Sequence, residues 1–188
     1  MNMNNILYII AAKLQLIRWA KEESATVVIE TVMLMPVLIS LLLGCFDIGR
    51  GINVNQKTIA AAQIIGDLIA RDRSVTFSSL QEIVTAGRLA FDPYPSDTFG
   101  YDIVSVQFDE DGEPIVLWRV TQNAQQNDIA VESSSALGGP GDGVVIVTAV
   151  YNYRPYFANF VIDEINMQEV AFLRGRRSST VACEDCPG

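Results

Sequence analysis

From Ala25 to Phe46 the chain reads ATVVIETVMLMPVLISLLLGCF, an apolar run with a single acid, Glu30. Twenty-two residues at the helical rise extend about 33 Å, enough to cross the hydrocarbon core of a bilayer. The run is too long for a cleaved secretory signal, and no A-x-A pattern precedes a polar mature start. It predicts a transmembrane helix over residues 25–46.

Ahead of it, residues 1–24 read MNMNNILYIIAAKLQLIRWAKEES. Lys13, Arg18 and Lys21 fall among Ile, Leu and Trp19 at helical spacing, which predicts a surface-lying amphipathic helix. After the span, Ile52, Ile59, Ala62, Ile65 and Ile69 recur at intervals of three to four. This predicts that the span continues into an amphipathic helix, weakened at Gly49 and Gly51. A shorter helix follows over SSLQEIVTAGRLAF, with Ser78 or Ser79 as its cap and Glu82 at capping-box distance.

The period then changes to two. YDIVSVQF, EPIVLWRV and GVVIVTAVYNY predict strands, the first two joined by the hairpin signal DEDG, and EVAFLRGR predicts a fourth. The polar stretch from Thr121 to Gly143 predicts a long loop. The fold class is α+β: a long N-terminal transmembrane helix, continuing into an amphipathic helix, packed on one side of a small antiparallel sheet. The division is a leader at 1–24, a span at 25–46 and an extracytoplasmic domain at 47–188.

Charge orients the span. The leader holds three basic and two acidic residues, whereas everything after Phe46 holds ten basic and nineteen acidic. Lys13, Arg18 and Lys21 outnumber Arg50 and Lys57 near the span, which places the N-terminus in the cytoplasm. A formal net charge of −9 argues against a nucleic-acid partner. With no histidine in the chain, Ser-His-Asp, Cys-His and His-metal sites are excluded.

The remaining candidate chemistry is sparse. Asp109, Asp111 and Glu113 alternate, but an EF-hand register would place Gln107 at position one and Trp118 at position twelve, so the stretch reads as a turn. GGPGDG lacks the Lys and Ser/Thr of a phosphate loop and reads as a loop. Cys183 and Cys186 form a C-x-x-C at the tail, a candidate local disulfide outside the cytoplasm. Arg174, Arg176 and Arg177 are either a solvated strand end or a docking patch. No metal, cofactor or small-molecule substrate is expected. Glu30 stands out, because a carboxylate in a spanning helix needs a cation and the span contains none.

Glu30, Pro36, the run LISLLLG, then Asp47, Gly49 and Arg50 resemble the pilin-like minor proteins of tight-adherence (Tad) pilus systems, the TadE/TadG-like group. VVIVTAVYNYRPYF also resembles the family's later strand with its aromatic-Pro step. The match is close over residues 24–50 and loose elsewhere, and the chain length favours a short TadE-like or TadF-like type. The resemblance implies cleavage by a membrane-embedded prepilin peptidase between Ala25 and Thr26. The new α-amine of Thr26 would then neutralise Glu30, between neighbouring subunits, and Pro36 would let the helix bend or melt during extraction. The family usually has Gly before the cut, where this chain has Ala25.

The implied function is that of a minor pilin or pseudopilin-like structural component of a Tad/Flp type IV pilus for adhesion and secretion, and not of an enzyme. Its partners would be the membrane, the peptidase, other pilin-like subunits and the inner-membrane platform. It would be a single-pass inner-membrane protein with its C-terminal domain in the periplasm, entering the pilus after processing. The alternative is an unprocessed single-span protein whose outer domain binds a periplasmic partner.

Overall fold

A computed structural model describes residues 23–159 and 161–186. The surface helix expected around Lys13, Arg18, Trp19 and Lys21 lies outside the described residues. The chain divides into two compact units, Met1–Phe46 and Asp47–Gly188. Helix α1, Glu23–Ala70, contributes to both. It runs through Gly49 and Gly51 without the weakening expected there.

In the second unit, α1 buries Gly51, Val54, Thr58, Ala61, Ala62, Ile65, Gly66 and Ile69, a stripe at three-to-four spacing. Ile52, expected on this face, is exposed instead. At 100° per residue it lies roughly 120° from the middle of the stripe. The adjacent Gly51 takes the inward place. A Cβ there would sit 3.4 Å from Cε1 of Tyr153, so the ring packs directly on the helix backbone.

Four antiparallel strands form the sheet: β2 (Gly100–Phe108), β3 (Pro114–Gln122), β4 (Gly143–Tyr153) and β5 (Ile165–Arg174), in the order β3-β2-β4-β5. Ile103 faces Val147 across the central pair, and a register shift between Ser105 and Val106 interrupts the pairing of β2 with β3. The hairpin turn is built by Asp109, whose carboxylate accepts the N–H groups of Asp111 and Glu113 at 2.9 and 2.8 Å. Gly112 closes it at φ +83°, a conformation glycine adopts without penalty.

Alternation sends the side chains of the central strands to two faces. Tyr101, Ile103, Val145, Val147, Ala149 and Tyr151 share a core with α1. Val104, Val106, Phe108, Val144 and Ile146 form a second core with Ala130 and Val131. The second core corrects the expectation of a long loop after Thr121. That stretch contains helix α3, Asp128–Ser133, which covers the sheet face turned away from α1. Its polar neighbours masked two apolar residues, and a six-residue helix carries too little periodicity to read.

Between β1 (Ser74–Val75) and β2 lies helix α2, Phe77–Arg88. Its cap is Thr76, not Ser78 or Ser79: the Thr76 side chain accepts the Ser79 N–H, and Ser79 Oγ accepts the Thr76 N–H at 2.9 Å. Ser79 thus holds the third position of the capping box, and Glu82 plays no part in it. The tail returns as β6, Ala182–Cys183, parallel to β1. Trp118 Nε1 and Ser105 Oγ both donate to the Val181 carbonyl, at 2.8 and 3.0 Å. Arg176 pairs with Asp67 and donates its backbone N–H to Ala70, while the Arg174 side chain donates to Leu137, so both are tied within their own unit.

A buried polar knot fixes α3. Asp102, 1% exposed, accepts Arg119 Nε and Nη2 at 2.9 and 2.7 Å, Thr121 Oγ1 at 2.7 Å and the Asn127 N–H at 2.9 Å. Arg119 also reaches Asp128 at 2.6 Å, and the Asn127 side chain caps α3 through the Ala130 N–H. Burial pushes the Asp102 carboxyl up, but the Arg119, Asn127 and Thr121 hydrogen bonds and the Arg119 charge outweigh it, so it lies below the ordinary carboxylate value. The stability it contributes is present above its unfolded pKa of about 3.9 and is lost as pH falls through the depressed folded value.

Asp102→Ala in the full chain should destabilise the outer unit by about 3–5 kcal/mol at neutral pH, because Arg119 loses its buried partner. Denaturant titration followed by Trp118 fluorescence in a Trp19→Phe background checks this, and the difference from the parent should narrow below about pH 4.

Candidate processing and assembly site

In the first unit, residues 26–42 of α1 are all exposed. None of the described residues covers this surface, and the helix is long and apolar enough to cross a membrane. Two of its hydroxyls are kept within the helix: Thr31 Oγ1 donates to the Val27 carbonyl at 2.8 Å, and Ser40 Oγ to the Pro36 carbonyl at 2.6 Å. Such bonds satisfy donors that hydrocarbon could not. Pro36 lies inside the helix, which is helical on both sides of it. Lacking an N–H, it leaves the Val32 carbonyl without the usual donor.

Ala25 and Thr26 lie in the first turn of α1. Glu30 follows Thr26 by four residues, on the same face and about 6 Å further along the axis. Its side chain is exposed, and among the described residues no cation pairs with it. The structure therefore brings the Ala25–Thr26 bond, Glu30 and Pro36 onto one helix.

The second unit begins with Asp47, which is 5% exposed. Its carboxylate accepts three successive backbone N–H groups from the segment after β4: Tyr156 at 3.0 Å, Phe157 at 2.8 Å and Ala158 at 2.8 Å. Tyr153 Oη donates to the Asp47 carbonyl at 2.9 Å. One turn on, the Arg50 guanidinium lies 3.9 Å from the Tyr156 ring centroid and 5.4 Å from that of Tyr94, both cation–π distances. Burial raises the Asp47 carboxyl, but the three N–H donors and the Arg50 charge hold it below its ordinary value. The Asp47-x-Gly49-Arg50 exit thus has a packing role that its spacing alone does not disclose. No neighbouring atom within 4 Å explains a glycine at Gly49.

Beside this collar lies a cavity of about 330 Å³ whose walls include Arg50, Tyr94, Tyr151, Tyr153 and Tyr156. Tyr151 is pinned by its hydroxyl to the Pro95 carbonyl at 2.8 Å and stacks on Phe91. At the tail of the second unit, Cys183 and Cys186 are joined in a disulfide. Asp185 between them accepts the Phe77 N–H at 2.6 Å, tying the tail to the start of α2. With both sulfurs bonded to each other, Cys183, Asp185 and Cys186 offer no thiolate to a metal.

Residues 25–65 match the family model of TadE-like proteins. No curated protein and no solved structure matches the chain.

Asp47→Ala should leave the sheet intact but speed amide exchange at Tyr156, Phe157 and Ala158 by about ten-fold or more, since each donor loses a charged acceptor. Hydrogen exchange resolved by residue checks this. In the parent, protection at these amides should persist above the ordinary carboxylate pKa and fall as pH drops through the depressed Asp47 value.

Proposed function

We propose that this chain is a minor pilin or pseudopilin-like structural component in the assembly of a tight-adherence type IV pilus. The TadE-like match over residues 25–65 supports a part in pilus assembly. The observation that carries the finer reading is Glu30: an exposed acid on an apolar helix, with no cation paired to it among the described residues. A carboxylate at the centre of a span costs about 2.5–3.5 kcal/mol on insertion scales. Cleavage between Ala25 and Thr26 by a prepilin peptidase creates an α-amine one turn away on the same face. Paired with Glu30 of a neighbouring subunit, that amine neutralises both charges where an unpaired charge is disfavoured.

In this reading the N-terminus is cytoplasmic and the domain from Asp47 onward is periplasmic. That domain contacts other pilin-like subunits and the inner-membrane platform, and its role is structural rather than catalytic. Pro36 weakens the helix where it leaves the bilayer for the assembly. Ala25, small but not the usual glycine, supports the competing reading of an anchored protein that is never cut.

The intact mass of the protein from membranes containing the cognate peptidase decides between them. The expected mature chain begins at Thr26, and full-length chain alone overturns the processing step. Glu30→Gln should leave membrane insertion unchanged and reduce incorporation into pili at least several-fold, measured by immunoblot of sheared filaments.

A further inference from the structure

The segment between β4 and β5 carries an exposed apolar cluster that the assembly reading leaves unused. Tyr156, Phe157, Val161 and Ile162 are 61%, 45%, 71% and 44% exposed. They are held in place rather than trailing. The N–H groups of Val161 and Ile162 both donate to the Ala158 carbonyl at 2.9 Å, and those of Tyr156, Phe157 and Ala158 bind Asp47. Four large apolar side chains on a fixed loop are an unusual feature for a surface in contact with water only.

Asp47 supplies the position of this loop. It follows Phe46, the last residue of the apolar run, through a single peptide bond. A backbone that hydrogen-bonds to Asp47 lies within a few residues' reach of the bilayer boundary. The charges are arranged to suit that place. Arg154 pairs with Glu164, and Asp163 precedes Glu164 in the chain, so charged residues flank the apolar segment in sequence. Tyr and Phe are side chains that settle at membrane interfaces.

We propose that Tyr156, Phe157, Val161 and Ile162 insert into the bilayer interface next to the end of the apolar run, as a second membrane contact driven by apolar burial. The proposal rests on the reading of residues 25–46 as a membrane span, and it is independent of cleavage or pilus entry. It gives the Asp47 collar a purpose: the collar holds the backbone of Tyr156, Phe157 and Ala158 to the residue that directly follows the apolar run.

The test uses the full chain in phosphatidylcholine nanodiscs, in a Cys45→Ala background with the Cys183–Cys186 disulfide intact. Spin labels are placed singly by Val161→Cys, Leu38→Cys in the span, and Ile129→Cys on α3, where the side chain is 76% exposed. Collision rates with oxygen, which partitions into lipid, and with a water-soluble nickel chelate report depth. The expected oxygen-to-nickel ratio at Val161 is several-fold above that at Ile129 and below that at Leu38. A ratio at Val161 equal to that at Ile129, with Leu38 in lipid, overturns the loop contact. So does shielding of Val161 from both agents, which signals burial against protein. A nickel-accessible Leu38 overturns the span reading itself, and is distinguishable from either.

Discussion

The Asp47 carboxylate takes three backbone N–H groups from a segment 109 to 111 residues later in the chain. That contact joins the first residue of the second unit to the segment that follows β4. Before Asp47 the helix exposes Val, Leu, Ile and Met on all sides. After it, a stripe beginning at Gly51 and Val54 turns onto the sheet. A single anion satisfied by backbone donors is well suited to such a junction, because it fixes position without needing a counter-charge. Arg50 then adds a cation held over aromatic faces, which tolerate partial burial better than a lysine would.

Beyond the junction, the second unit is organised by a sheet buried on both faces. Its central strands, β2 and β4, are therefore nearly continuous in Val, Ile and aromatics. Their one charged residue is Asp102 in β2, and its presence is explained by what it holds. With Arg119, Thr121 and Asn127 it anchors the start of α3, whose Ala130 and Val131 close the second core. A buried carboxylate with four donors is tolerable because its lone pairs are satisfied and Arg119 supplies the balancing charge.

Large parts of this arrangement were legible in the sequence. The span, the continuing helix and all four strands follow from periodicity, because each is long and its apolar pattern is strong. GVVIVTAVYNY coincides with β4. The differences have local causes. Ile52 is apolar, which predicts an inward place, but Gly51 occupies that place and Tyr153 fills the space over it. The serines ahead of α2 carry a capping pattern, but Thr76, held in an extended conformation just after β1, takes the role. Helix α3 leaves no signal, because six residues in a polar stretch give no measurable period.

The candidate site divides in the same way. Glu30, Pro36 and the Ala25–Thr26 bond belong to one continuous helix, so their relative placement follows from residue count and helical geometry alone. Asp47 and Arg50 could be singled out by position, but not explained, because their partners Tyr94, Tyr153, Tyr156, Phe157 and Ala158 are distant in the chain. By itself the sequence determined the apolar span, its lone acid and the order of helix and strands, since hydrophobic periodicity is a local property. Only the tertiary structure decided which face of α1 meets the sheet, how Asp102 and α3 close the second core, and that the backbone of Tyr156, Phe157 and Ala158 is tied to Asp47. Those outcomes depend on hydrogen bonds and packing between residues that chain order keeps far apart.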